Sequence, residues 1–262
     1  MYIRELTKAH CPVKAAIFDF DGTISTLRCG WEPIMEKVML KHLRGGDMPD
    51  DQLIPMVRAY IDESTGIQTA YQMEWLANQV RELCHREPED LWTYKDEYNE
   101  ELLKMVNDRI ASLENGASTF QFLVKGSVWY LRMLAEHGIE IYIASGTDDA
   151  DVKREASLLG ITGFVQEVKG APYHKKDCSK EVVIRELIEA RGLSGRELMV
   201  VGDGKVEIQL GAAAGAITIG MATEEWLQDG STYNKKKLEK LQAAGADYIF
   251  LDFVQLMQMW ER

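Results

Sequence analysis

Residues 15 to 24 read Ala-Ala-Ile-Phe-Asp-Phe-Asp-Gly-Thr-Ile, and no other stretch constrains the fold as much. An uninterrupted apolar run from Ala15 to Phe18 suits a strand covered on both faces, as in a parallel sheet. Asp19 and Asp21 then fall just beyond its carboxyl end, where open α/β sheets bind ligands. Residues two apart on extended chain point the same way. Two carboxylates held that close repel each other and favour a bound cation or a shared proton.

Two more stretches have the same form. The strand expected at Ile139–Ala144 runs into Ser145-Gly146-Thr147, and the one expected at Leu198–Val201 runs into Gly202-Asp203-Gly204. Between them the pattern alternates. Helices are expected at Val128–His137, Asp148–Leu159, Lys180–Ala190 and Val206–Ala214. Further strands are expected at 164–168, 217–219 and 248–251, and a last helix at 252–260. Strands alternating with helices specify an α/β fold, a doubly wound, Rossmann-like parallel sheet. The three polar turns then gather on one sheet edge.

The stretch between Ser25 and about Lys125 differs. Apolar residues recur there at helical spacing, in four segments that include Thr69–Leu83 and Leu91–Leu113. This reads as an all-α cap inserted into the α/β core, giving a core domain of residues 1–25 and 120–262 and a cap domain of residues 26–119. Hinges are expected near Ser25–Arg28 and Ser118–Gly126. Met73, Trp75, Trp92, Tyr94 and Tyr98 read as the core of that helix bundle. Residues 1–14 read as a short lead-in.

Composition excludes several classes. A net charge of -12 over 262 residues argues against a nucleic-acid partner, which needs a basic face. Cys11, Cys29, Cys84 and Cys178 are scattered and read as free thiols. The five histidines lack zinc spacing, and no GxGxxG marks a dinucleotide site. Without a signal peptide or a membrane-length run, the expectation is a cytoplasmic protein with no membrane partner. Lys235-Lys236-Lys237 reads as a solvated helix face, Asp148 as a helix cap and His174 as a solvent-facing loop residue.

The chemistry open to the three turns is phosphoryl transfer. A carboxylate can attack phosphorus and become an aspartyl-phosphate. A divalent cation offsets the repulsion between the two anions. Asp19, Asp203 and a backbone carbonyl are hard oxygen donors of the kind Mg²⁺ takes. Asp21 can serve as general acid and then base. The Ser145 hydroxyl and the Gly146 N–H can hold phosphate oxygens, and a lysine is wanted to balance the remaining charge.

These turns, in this order and over nearly the whole chain, resemble the four motifs of the haloacid dehalogenase superfamily of phosphohydrolases. The resemblance implies Asp19 as nucleophile, Asp21 as general acid/base whose carbonyl also binds metal, Ser145 as the phosphate-binding hydroxyl, and Thr23 and Gly146 beside it. It implies a third-motif lysine, for which Lys180 is preferred over Lys175 and Lys176. It implies metal ligation by Asp203. Glu207 stands where many members carry a second Asp, and it either joins the metal set through water or orients Lys180. The insert resembles the helical cap of the phosphoglycolate-phosphatase-like and β-phosphoglucomutase-like branch. Arg28 and Trp31, next after the catalytic loop, are the expected leaving-group contacts. Asp21 argues against the dehalogenase branch. Lys37, Lys41 and Lys104 are cap lysines without any sign of the desolvation that a Schiff-base lysine needs. The expectation is a Mg²⁺-dependent hydrolase of a small phosphorylated metabolite, with a sugar-phosphate mutase or a non-catalytic binding protein as alternatives.

Overall fold

The computed structural model describes residues 13–176, 180–193, 195–226 and 232–258. Most of the lead-in, Cys11, Cys178 and the end of the last helix lie outside the described residues. Six strands form one parallel sheet: β1 (Ala15–Phe18), β2 (Glu140–Asp148), β3 (Glu167–Ala171), β4 (Leu198–Gly202), β5 (Ile217–Met221) and β6 (Tyr248–Phe250). Their order is β3-β2-β1-β4-β5-β6, so the winding reverses on either side of β1.

All four residues of β1 are buried, and strand alternation divides them between two layers. Ala16 and Phe18 face a core built with α5 (Ser127–Glu136), α6 (Asp149–Leu158) and α10 (Phe253–Gln258). Ala15 and Ile17 face Ile184 of α7 (Lys180–Arg191) and Leu210 of α8 (Lys205–Ala213). On that second face Leu241 of α9 (Lys235–Ala243) packs over Gly220. Covering both faces is what lets the strands read as continuous apolar runs.

Four helices stand between β1 and α5: α1 (Trp31–Leu43), α2 (Asp50–Glu63), α3 (Thr69–Cys84) and α4 (Leu91–Glu114). They share a separate apolar core that includes Met35, Leu53, Met73, Tyr94, Tyr98 and Val106. The chain enters and leaves this insertion side by side. Thr26 N–H donates to the Phe122 carbonyl and Val124 N–H to the Ile24 carbonyl, each at 2.9 Å. Arg109 of α4 donates to the carbonyls of Leu27 (2.6 Å) and Cys29 (2.8 Å), which fixes the entering segment against the last helix of the insertion.

Two expectations shift. The strand anticipated at 164–168 forms at Glu167–Ala171, after a 3₁₀ turn at Thr162–Phe164. Gly170 carries the difference. A Cβ there would lie 2.5 Å from Asp149 Cα, so only glycine lets β3 run past the start of α6, and its N–H donates to Asp149 Oδ1 at 3.0 Å. In the expected bundle stripe, Met73, Tyr94 and Tyr98 are buried and Trp75, stacked on Tyr60 at 3.8 Å, packs against the same core, whereas Trp92 stacks on His174 at 4.9 Å. His174 also pairs with Asp96 of α4 at 3.0 Å, so it joins the loop after β3 to the cap instead of facing solvent alone. Cys29 and Cys84 are free thiols. No described helix is long and apolar enough to cross a membrane.

Candidate active site

Register brings the three turns together. Phe18 pairs with Ile143 of β2 and Val201 of β4, so Asp19 just past β1, Ser145 and Asp203 just past β4 meet at the switch point of the sheet. The strand β2 does not end at Ala144 as expected but runs through Ser145-Gly146-Thr147 to Asp148. Asp19 is 4% exposed there. Its Oδ1 accepts the Phe20 N–H at 2.7 Å and the Lys180 ammonium at 2.8 Å. Lys180 opens α7, and its Nζ also donates to Glu207 Oε1. Glu207 stands in the first turn of α8, 1% exposed. It lies beneath Gly202 and Gly204, where added Cβ atoms would approach it to 2.9 and 2.8 Å. The sequence left Glu207 either joining a metal set through water or orienting Lys180. The fold buries it against the Lys180 ammonium, and its Oε2 is buried without a hydrogen bond.

Asp21 is held by two hydroxyls on its Oδ2, Thr147 Oγ1 at 2.8 Å and Ser145 Oγ at 3.2 Å. Ser145 Oγ in turn accepts the Thr147 N–H at 3.0 Å. Asp21 Oδ1 is buried and makes no hydrogen bond. Thr23 Oγ1 reaches Asp203 Oδ1 at 3.5 Å, a long contact. Gly22 has φ +73, and a Cβ would lie 2.2 Å from Asp203 Oδ2, so both conformation and space demand glycine in this loop.

Asp19, Asp21, Gly22, Thr147, Lys180 and Asp203 line a cavity of about 130 Å³, with Ser145, Thr23 and Glu207 behind its wall. One wall is Asp19, Asp21, Gly146, Lys180 and Asp203; the facing wall comes from the insertion, with Trp31, Gln72, Lys95, Tyr98 and Asn99. Arg28 also lines it, but its charge is already engaged. Arg28 Nη2 lies 2.6 Å from Glu155 Oε1 and 3.4 Å from Asp151, with Asp21 Oδ1 3.9 Å from Nε. Asp148 stands at the N-cap position of α6, as expected, but its side chain makes no capping hydrogen bond. It accepts from Lys95 Nζ at 2.5 Å and Asn99 Nδ2 at 2.9 Å, tying α4 to the end of β2. Lys176 pairs with Glu74 at 2.5 Å, and its neighbour's carbonyl accepts from Gln68 at 2.7 Å, so of the three candidate lysines Lys180 is the one at Asp19. Lys37, Lys41 and Lys104 make exposed pairs with Glu101 and Glu97.

Four participants were not singled out from the sequence. Lys95, 2% exposed, carried a legible signal: it falls in the same helical stripe as Tyr98 and Leu102. Asn99 follows it by one turn. Lys237, read as part of a solvated face, instead pairs with Asp203 at 2.6 Å and with Glu225 at 2.5 Å. Its phase was readable from Leu241, buried one turn later; Glu225 had no local signal.

The donor set suits Mg²⁺. Burial pushes the Asp19 carboxyl well above its usual range, the Lys180 ammonium pulls it down, and Glu207 and Asp203 push it up again. A divalent cation would neutralise that surplus of negative charge. Among the described residues no three His, Cys, Asp or Glu side chains converge as a metal cage. The Asp19 and Asp203 carboxylates are hard oxygen donors of the kind Mg²⁺ takes, unlike the nitrogen and sulfur donors of a zinc site.

Comparison with curated proteins returns no match. Among solved structures, the chain is similar to a phosphonoacetaldehyde hydrolase-like protein from Oleispira antarctica at 16% identity and TM-score 0.66, covering 97% of this chain and 94% of that one. It is similar to a β-phosphoglucomutase from Clostridium difficile at 14% identity and TM-score 0.63, over 95% and 97%. It is also similar to a predicted phosphoglycolate phosphatase from Haemophilus somnus 129pt at 15% identity and TM-score 0.60, over 94% and 97%. At these identities the likeness is one of fold. The model of the haloacid dehalogenase-like hydrolases matches residues 13–215, which contain every strand-end turn described above. The chain belongs to the haloacid dehalogenase-like hydrolase family.

Proposed function

We propose that this protein is a Mg²⁺-dependent phosphatase that cleaves a small phosphomonoester through a phosphorylated Asp19. The observation that carries the reading is Asp19 itself, a buried carboxylate at the switch point, held through Oδ1 by a buried lysine and set beside a second carboxylate with an unpartnered oxygen. Asp19, the Asp21 carbonyl and Asp203 would hold the cation. When bound, Mg²⁺ supplies the positive charge that brings an anionic phosphate to an anionic nucleophile.

This chain's own groups divide the remaining work. The Ser145 hydroxyl, the Gly146 N–H and the Lys180 ammonium take phosphate oxygens, and Thr23 keeps Asp203 in place. An Asp19 oxygen bonds to phosphorus as the bond to the leaving oxygen breaks. Asp21, steadied by Thr147 and Ser145 through Oδ2, gives the leaving oxygen its proton from Oδ1. A water then attacks the aspartyl-phosphate, Asp21 takes its proton back, and phosphate leaves with Asp19 restored. Glu207 holds Lys180 charged and aimed at Asp19.

Residues 26–119 act as a cap domain over the core of residues 1–25 and 120–262, hinged at the paired segments around Thr26 and Val124. The cavity of about 130 Å³ favours a small ester. Arg28 and Trp31 face its leaving-group end. With Arg28 already answered by Glu155, recognition there falls to Lys95, Asn99 and Gln72.

A panel of sugar phosphates, phosphoglycolate, nucleotides and an aryl phosphate, assayed for phosphate with Mg²⁺ and with chelator, tests the reading. Metal-dependent phosphate release is the expected result. An isomerised sugar phosphate without free phosphate would replace it with the mutase reading, for which the fold likeness to a β-phosphoglucomutase is the supporting observation. No turnover on any ester would favour a binding protein.

A further inference from the structure

Asp203 is in contact with a lysine that the reaction above does not use. Lys237 Nζ lies 2.6 Å from Asp203 Oδ2 and 2.5 Å from Glu225 Oε1, and the three side chains are 11, 16 and 18% exposed for Asp203, Lys237 and Glu225 respectively. Lys237 stands in the first turn of α9, whose start Asn234 fixes by accepting the Lys237 N–H at 3.1 Å. Glu225 comes from the segment after β5, and it lines the catalytic cavity. The ammonium also lies against the loop between Asp21 and Thr23, because a Cβ on Gly22 would be 3.1 Å from it. A lysine ammonium paired with two carboxylates therefore touches one of the two carboxylates assigned to the cation.

Resting on that assignment, we propose that Lys237 is a built-in counter-cation of the metal site: its charge on Asp203 limits how tightly a divalent cation is held, and Glu225 offsets that charge. Two positive charges a few ångströms apart repel strongly away from bulk water. When Asp203 turns its charge to the metal, Glu225 remains as the partner of the ammonium, so Lys237 need not leave the site. Lys237 is a positioning residue in this scheme and contacts no substrate atom. Had α9 merely been anchored here, every substitution in the pair would loosen the site. The charge role instead demands opposite signs from its two members.

The test is calorimetric titration of the whole protein with Mg²⁺ and no substrate, backed by Mn²⁺ titration followed by electron paramagnetic resonance. Lys237→Met is expected to tighten the divalent ion at least ~10-fold, and Glu225→Gln, which leaves the ammonium less well answered, to weaken it at least ~5-fold. Lys237→Arg keeps the charge and is expected to stay within ~3-fold of the parent. Glu225→Gln changes almost no volume, so it decides the matter should Lys237→Met not fold. Shifts of the same sign for Lys237→Met and Glu225→Gln, or an arginine variant that behaves like the methionine one, would overturn the proposal. Asp203→Asn separates the two levels. A large loss of affinity there keeps the metal site while the other variants judge Lys237; an unchanged affinity removes the metal site and this proposal with it.

Discussion

Asp19 and Lys180 form a buried pair in which each group's charge depends on the other. Burial raises the Asp19 carboxyl, and the ammonium is the nearest force that keeps it ionised. Lys180→Ala is therefore expected to lower kcat by on the order of 10²–10³, the range seen when one charge-stabilising donor is removed. Lys176→Ala, which breaks an ion pair with Glu74 and a cation–π contact with Tyr71, both away from Asp19, is expected to change kcat less than about threefold. Steady-state kinetics on one ester compares them, and the reverse order would move the third motif into the loop before α7. Asp21→Asn removes a positioned acid and is expected to cost about 10²–10⁴ in kcat, with a smaller loss on an aryl phosphate whose leaving oxygen needs no proton. At this scale much was legible, because Asp19, Asp21, Ser145 and Asp203 each follow an apolar run and adjacency in a parallel sheet does the rest. Glu225 was not, and Lys237 showed only the inward phase it shares with Leu241; their meeting at Asp203 depends on how α9 docks against β5.

Elements set these residues by exclusion as much as by contact. Gly22 and Gly170 are the clearest cases: each lets two pieces of chain approach where a Cβ would collide. Gly22→Ala combines a positive φ with a contact on Asp203, so it is expected to destabilise by at least about 1 kcal/mol and to weaken Mg²⁺ binding. Thermal unfolding and metal titration of the variant measure both. The displaced β3 belongs here too. Val165 and Phe164 made the earlier segment look like strand, but Thr162–Phe164 turns as a 3₁₀ helix and the pairing partner of Tyr142 is Glu167. Periodicity locates apolar runs and is blind to which run finds a neighbour. The helices of the insertion were easier, since each is long enough for its 3.6-residue period to show.

Over the whole molecule, two apolar cores meet across the cavity, and ion pairs span the gap. Arg28, just past the entering segment, is locked to Glu155 of α6 at 2.6 Å with both side chains nearly buried. Arg28→Met strands Glu155 in the interior and is expected to cost about 3–5 kcal/mol, read from denaturant unfolding; a cost under about 1 kcal/mol would show the pair to be dispensable. Lys95 and Asn99 on α4 close on Asp148 from the other side. Charged groups at such a junction look like ordinary helix surface in a sequence. Only the docking of the insertion onto the sheet edge shows them to be interior.

The claim on which the rest depends is that Asp19 becomes phosphorylated. Borohydride reduces an acyl phosphate and leaves a stable mark on the residue that carried it. The enzyme, turning over an aryl phosphate with Mg²⁺, is quenched with borohydride and its peptides are mapped by mass. The account predicts a reduced residue at position 19, absent from Asp19→Asn and absent with chelator. Full-rate phosphate release with Asp19 unreduced, or with the mark on another residue, would contradict it.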